Sequence, residues 1–104
     1  MANICDNEMY FYCENENILS IIEDRLTAEE CTIDADIYCV DTNFIEAFFE
    51  SNWNFPKNYF DIIFKDINKG YFRCISKELG VGFIEINVWK DGEWIQNDCI
   101  EIKN

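Results

Sequence analysis

The chain has no histidine. Without an imidazole it cannot build a Ser-His or Cys-His nucleophilic pair, nor a histidine-ligated metal centre. Its six cysteines include no C-x-x-C pair, the close ligand spacing that a structural zinc site uses. Bases are scarce as well. Eight Lys and Arg stand against 21 Asp and Glu, for a formal charge of −13. Such a surface repels phosphate, which argues against direct binding of nucleic acid or of an anionic membrane. No apolar run approaches the ~20 residues of a membrane-spanning helix. There is no P-loop and no G-x-G-x-x-G turn. The opening M-A-N-I-C-D-N-E lacks a basic region followed by an apolar one, so no secretory signal is read there and a cytoplasmic location is expected. In that reducing setting Cys5, Cys13, Cys31, Cys39, Cys74 and Cys99 are read as free thiols, several of them packed as small apolar groups. Acidic surroundings oppose thiolate formation, which disfavours a cysteine nucleophile. No cofactor and no metal are expected.

What is present points to a folded core. Hydrophobic residues make up 49% of the chain and aromatics 16%, too many aromatics for a disordered acidic segment. Residues 1–104 are read as a single domain. The charge is uneven. Residues 1–50 hold 13 acids and one base, Arg25, for a net −12; residues 51–104 hold 8 acids and 7 bases, for a net −1. An acidic half of this kind either serves solubility or attracts a basic protein surface, with fast and salt-sensitive association.

Periodicity supplies the elements. Met9, Phe11 and Cys13 alternate with Glu8, Tyr10 and Tyr12, which predicts a strand over 8–13. The E-N-E-N at 14–17 breaks it and offers a helix cap. Ile18, Leu19, Ile22 and Leu26 then keep helical spacing, and 27–30 reads as a turn. Residues 31–40 alternate cleanly, with Cys31, Ile33, Ala35, Ile37 and Cys39 on one face and Thr32, Asp34, Asp36 and Tyr38 on the other. Phe44, Ile45, Phe48 and Phe49 fall at i, i+1, i+4 and i+5, which predicts an aromatic helix over about 43–52, capped by Asp41 or Thr42. Phe60, Ile63, Phe64 and Ile67 predict a second helix opening at Pro56 and ending at Gly70, with a strand over 59–64 as the competing reading. Strands follow at 71–75 and 82–89, separated by a loop at 76–80. Asp91-Gly92 signals a tight hairpin. A last strand runs from 93 to about 102, with a bulge expected near Asn97-Asp98. Trp89 and Trp94 flank the hairpin and read as a cross-strand pair or, alternatively, as an exposed anchor. The order β-α-β-α-α-β-β-β predicts an α+β domain of two layers, a mostly antiparallel sheet with two or three helices on one face.

Three stretches carry a family resemblance. The opening M-A-N-I-C-D-N-E-M-Y-F-Y, the segment F-E-S-N-W-N-F-P at 49–56 and K-E-L-G-V-G-F at 77–83 are similar to motifs of the YubB-type ferredoxin-like proteins of plasmids and phages. Asn3, Cys5, Asn7, Trp53, Pro56, Glu78, Gly80 and Phe83 carry the match, and the chain departs from the motif at Ile4 and Phe55. The resemblance implies a ferredoxin-like fold and a mobile-element setting, but no particular activity.

Among sites, Asp34-x-Asp36 superficially opens a calcium loop, but Tyr38 takes the next ligand position and no glycine follows. Paired carboxylates suit glycosidase chemistry, yet with 21 acids no pair stands out. An acidic strand face is the more specific pattern. Carboxylates two residues apart on one face lie about 6.8 Å apart, close to two phosphate steps of a duplex strand. Asp34, Asp36, Tyr38, Asp41, Glu46, Glu50 and Trp53 are therefore the candidate partner-binding residues, against the plain alternative of a solvated polar face.

The functional expectation is a small, acidic phage or mobile-element protein that is not an enzyme. It inhibits a host nucleic-acid-handling defence protein, in the manner of an anti-CRISPR and DNA mimic, by occupying a basic channel. The expected partner is the basic surface of a CRISPR effector or nuclease. An immunity or antitoxin protein capping a basic nuclease toxin shares the same charge logic. A small enzyme using paired carboxylates is the third reading, and self-association into a homodimer the fourth.

Overall fold

The computed structural model describes residues 4–28, 35–78, 80 and 82–101, and among these it forms one six-stranded antiparallel sheet with two helices. In chain order the elements are β1 (Ile4–Tyr12), α1 (Glu16–Thr27), β2 (Asp36–Val40), β3 (Phe44–Asn52), α2 (Lys57–Ile63), β4 (Tyr71–Glu78), β5 (Phe83–Lys90) and β6 (Glu93–Glu101). The strands lie in the order β2-β3-β1-β4-β5-β6. The α+β class is as expected, with two helices.

β1 is the hub of the sheet. It pairs with β3 on one side and β4 on the other. Its alternation buries Cys5, Asn7, Met9 and Phe11 and turns Asp6, Glu8, Tyr10 and Tyr12 to the opposite face. α1 begins where Asn15 accepts hydrogen bonds from the backbone N–H groups of Asn17 (2.9 Å) and Ile18 (3.3 Å), an N-cap worth about 1 kcal/mol. It buries Leu19, Ile22 and Leu26. It runs through Thr27, which was expected to open a turn. At its other end Arg25 donates to the Ile63 carbonyl and to the Lys65 carbonyl (3.0 Å), tying α1 to the end of α2.

The largest correction falls at 43–52, which is strand β3 and not a helix. Ile45, Ala47 and Phe49 are buried on one face; Phe44, Glu46, Phe48 and Glu50 face the other way. The F-I-x-x-F-F pattern satisfies both a helical and a two-residue period. Tertiary pairing decides between them, because β3 fills the gap between β1 and β2 and gives both their hydrogen-bond partners. Asp41 and Thr42 therefore cap no helix. They form the β2–β3 turn, where the Asp41 N–H donates to the Phe44 carbonyl and the Asp41 carboxylate accepts from the Thr42 N–H.

Other boundaries shift in smaller ways. α2 stops at Ile63, short of the helix expected to end at Gly70, yet Phe60, Ile63, Phe64 and Ile67 are all buried as the spacing implied. Ser76, Lys77 and Glu78 belong to β4 and not to a loop, since each pairs with β1 and β5. The β6 bulge sits at Ile95, two residues before the expected Asn97-Asp98, because Val88 pairs with Gln96 while Trp89 pairs with Trp94. Asp91 and Gly92 both take positive φ, 48° and 95°, which makes the two-residue hairpin the sequence signalled. Of the strand expected over 31–40, residues 31–34 lie outside the described part. Of the rest, Asp36–Val40 form β2, with a register slip at Tyr38.

The core is aromatic. Phe60 stands at its centre, with ring centroids of Phe49, Phe55, Phe64 and Phe72 within 5.8 Å. Phe64 stacks on Trp89 at 4.4 Å. Trp89 is buried and Trp94 packs against the same cluster, so this cross-strand pair is structural. Buried side chains of α1 and α2 join that cluster with Met9, Phe11, Ile45, Ala47, Phe49, Phe72 and Cys74. Among the described residues, the opposite face of the sheet contributes none to it. Cys5, Cys13 and Cys74 are free and buried, and Cys99 is free and exposed.

Candidate partner-binding face

Antiparallel register arranges the open face in rows. One row reads Glu50, Asp6, Lys77, Ile84 and Ile100 across β3, β1, β4, β5 and β6. The next reads Asp36, Phe48, Glu8, Ile75, Ile86 and Asp98, starting from β2. The third reads Glu46, Tyr10, Arg73, Val88 and Gln96. Five carboxylates therefore gather on β2, β3 and β1: Asp36, Glu46, Glu50, Asp6 and Glu8. Directly beyond β1, on β4, the sign reverses with Arg73 and Lys77. The charge asymmetry of the two half-chains becomes a charge boundary running along the β1–β4 seam.

Among the expected site residues, Asp36, Glu46 and Glu50 are on this face, and Tyr38 lies at the β2 bulge beside it, 59% exposed. Glu46 and Glu50 share the face because they are four apart on a strand, whereas the helical reading placed them together for a different reason. Asp34 lies outside the described residues. Asp41 sits off the face, in the β2–β3 turn. Trp53 follows β3 at φ 73° and is 53% exposed, in a turn pinned by the Ser51 hydroxyl donating to the Asn54 carbonyl (2.7 Å). The sequence reading left out Asp6, Glu8, Tyr10 and Arg73. Extending the 8–13 alternation two residues back would have placed Asp6 beside Glu8.

A cavity of about 180 Å³ opens within the acidic half, lined by Glu8, Tyr10, Tyr38, Glu46, Arg73 and Ile75 among others. The Arg73 guanidinium lies 5.7 Å from the Tyr10 ring centroid, a cation–π contact. Tyr10 also stacks on Phe44, with centroids 5.6 Å apart. The face thus combines carboxylates with flat aromatic surface, the pairing that suits lysine and arginine side chains of a partner.

The buried face holds a second polar cluster that residue patterns did not announce. Asn7, fully buried, donates to Ser51 Oγ (2.9 Å) and to the Phe49 carbonyl (3.3 Å), and accepts from Ser76 Oγ (2.6 Å). Glu85 accepts from the Phe55 N–H (3.3 Å), Asn87 Nδ2 (3.1 Å) and Asn97 Nδ2 (3.1 Å). Glu78, also buried, accepts from the Gly80 N–H at 2.7 Å. No buried side-chain polar atom among the described residues lacks a partner. The cluster is a satisfied network that fastens the segment after β3 to β4, β5 and β6. Burial pushes the thiols of Cys5 and Cys74 above their ordinary value, so neither is poised as a thiolate. Among the described residues no cluster of three metal-ligating side chains occurs, and no helix is long and apolar enough to cross a membrane.

No protein-family model, curated protein or solved structure matches the chain.

Proposed function

We propose that this chain is a binding protein whose open sheet face docks on the basic surface of a host nucleic-acid-handling defence protein, in the manner of an anti-CRISPR. The observation that carries the reading is the grouping of Asp6, Glu8, Asp36, Glu46 and Glu50 on one face of β1, β2 and β3, opposite the face on which the buried residues of α1 and α2 pack. Carboxylates at strand spacing stand about 6.8 Å apart, and adjacent strands about 4.8 Å apart, so the face offers a two-dimensional array of negative charge. A basic channel shaped for nucleic acid is a complementary surface for such an array. Tyr10, Tyr38 and Phe48 supply flat surface between the charges.

The fold belongs to the same proposal. The first six elements run β-α-β-β-α-β in the strand order β2-β3-β1-β4, the arrangement of a ferredoxin-like two-layer domain, with β5 and β6 added as a hairpin on the β4 edge. Cys5, Asn7 and Glu78, three residues of the resemblance to YubB-type proteins, lie together, since Cys5 is the register partner of Glu78.

The test is competition. Purified CRISPR effector complexes and nuclease toxins are mixed with the protein, and target-DNA binding and cleavage are measured. The proposal predicts loss of DNA binding by one effector, reversed by excess DNA. Protection against a nuclease toxin alone would move the assignment to an immunity protein.

A further inference from the structure

Where β1, β4 and β5 end together, beyond the rows that carry the five carboxylates, lies a cavity of about 340 Å³. That size falls in the range of small-molecule sites. Its aromatic side comes from Tyr12 and Tyr71, direct register partners on β1 and β4, and Lys90 is the register partner of Tyr71 on β5. Lys69 reaches the same cavity from the loop before β4.

The cavity is preformed. Its floor at Gly70 is fixed by two reciprocal bonds, Gly70 N–H to the Asp91 carboxylate (3.0 Å) and Asp91 N–H to the Gly70 carbonyl (2.9 Å). The Cys13 N–H donates to the Asn43 carbonyl (2.8 Å) and its thiol points at the Lys69 carbonyl (3.8 Å). A Cβ at Gly70 would stand 2.7 Å from Phe11 Cζ, so a glycine is needed for the loop to lie this close to the core. A site held on three sides loses little ordering entropy when it binds.

The charges around it are not equivalent. Asp91 is committed to the Gly70 N–H, and Glu14 accepts from the Tyr12 hydroxyl at 3.4 Å. Lys69 and Lys90 make no ion pair among the described residues, in a chain with 21 acids. At the nearby α1 N-terminus the N–H groups of Asn17 and Ile18 are taken by the Asn15 side chain. We infer that this cavity binds a small aromatic monocarboxylate, its ring on Tyr12 and Tyr71 and its carboxylate between the ammonium groups of Lys69 and Lys90. One negative charge fits better than several, because Glu14 and Asp91 stand on the same rim and repel a polyanion.

Protein-observed NMR with three probes tests this: 2-naphthoate, the neutral 2-naphthalenemethanol, and acetate. Naphthoate shifts the amides of Cys13, Gly70, Tyr71 and Asp91 and binds about tenfold more tightly than either of the others, the gain of a charge-assisted contact. Lys69→Ala combined with Lys90→Ala removes that tenfold difference and leaves the alcohol unchanged; both lysines are exposed, so the fold is kept. Glu14→Gln tightens naphthoate binding. Equal affinity for naphthoate and the alcohol, shifts centred elsewhere, or a double-lysine variant that binds like the parent would overturn the assignment.

Discussion

Asp6 on β1 and Glu50 on β3 stand directly opposite one another in the antiparallel ladder, on the open face. Two like charges at this position cost stability, of order 0.2–1 kcal/mol at low salt. Glu50→Gln is expected to stabilise the fold by about that amount, seen as a higher urea midpoint with an unchanged slope, whereas Asp6→Asn gains less because Lys77 faces Asp6 from β4 on its other side. Added salt brings the parent protein closer to the variants by screening the pair. On the proposed function, the same substitutions are expected to weaken binding to a basic partner. Stability gained where function is lost is the pattern of a surface kept for binding.

Asn7 is the keystone of the inner polar cluster. Its amide bonds Ser51 and accepts from Ser76, linking β1 to β3 and β4. Asn7→Ala takes the amide acceptor from the buried Ser76 hydroxyl and the amide donor from Ser51 Oγ, which keeps its own bond to the Asn54 carbonyl, at a cost of about 1–3 kcal/mol. Chemical denaturation measures it. Ser76→Ala removes one bond and one polar atom together and costs less.

Gly70 and Gly92 both have positive φ, 131° and 95°, but differ in room. An alanine methyl at Gly70 meets the Phe11 ring, whereas at Gly92 its nearest neighbour is 3.8 Å away. Gly70→Ala is expected to lower the melting temperature more than Gly92→Ala, and the difference reports the clash separately from the backbone strain.

Thiol chemistry gives a pH prediction. Burial raises the Cys74 thiol above its ordinary value of 9.0, with the Ser76 hydrogen bond acting the other way. Above pH 9 the unfolded chain therefore loses this proton while the folded chain keeps it. Stability from this group is complete below that pH and falls as pH rises. Denaturation midpoints between pH 7 and about pH 10 check the sign. In the native protein, alkylation followed by mass spectrometry should label Cys99 well ahead of Cys5, Cys13 and Cys74, following their exposure.

Much of the sheet was legible locally. The alternation around Met9 and Phe11, the helix cap within 14–17 and the Asp91-Gly92 turn each carry their own geometry, although β1 runs over Ile4–Tyr12 where a strand over 8–13 was expected. β3 was not legible, because adjacent apolar pairs at 44–45 and 48–49 satisfy two periods at once and only the strands on either side choose. The Ile95 bulge depends in the same way on register with Val88 and Trp89. The acidic half-chain was visible as a count, but which acids share a face was not. Asp6 joins Glu50 through strand pairing across 44 residues, a relationship no local pattern contains. The burial of Asn7, Glu78 and Asn87 is likewise a property of the assembled sheet.

The most direct test of the open face is a charge-reversal comparison against a captured effector across a salt series. Glu8→Lys with Glu46→Lys reverses two carboxylates of the face; Glu23→Lys with Asp24→Lys reverses two on α1. The account predicts parent binding that weakens steeply with salt, loss of binding in the first variant and near-parent binding in the second. Binding indifferent to salt, or weakened equally by both reversals, would contradict it.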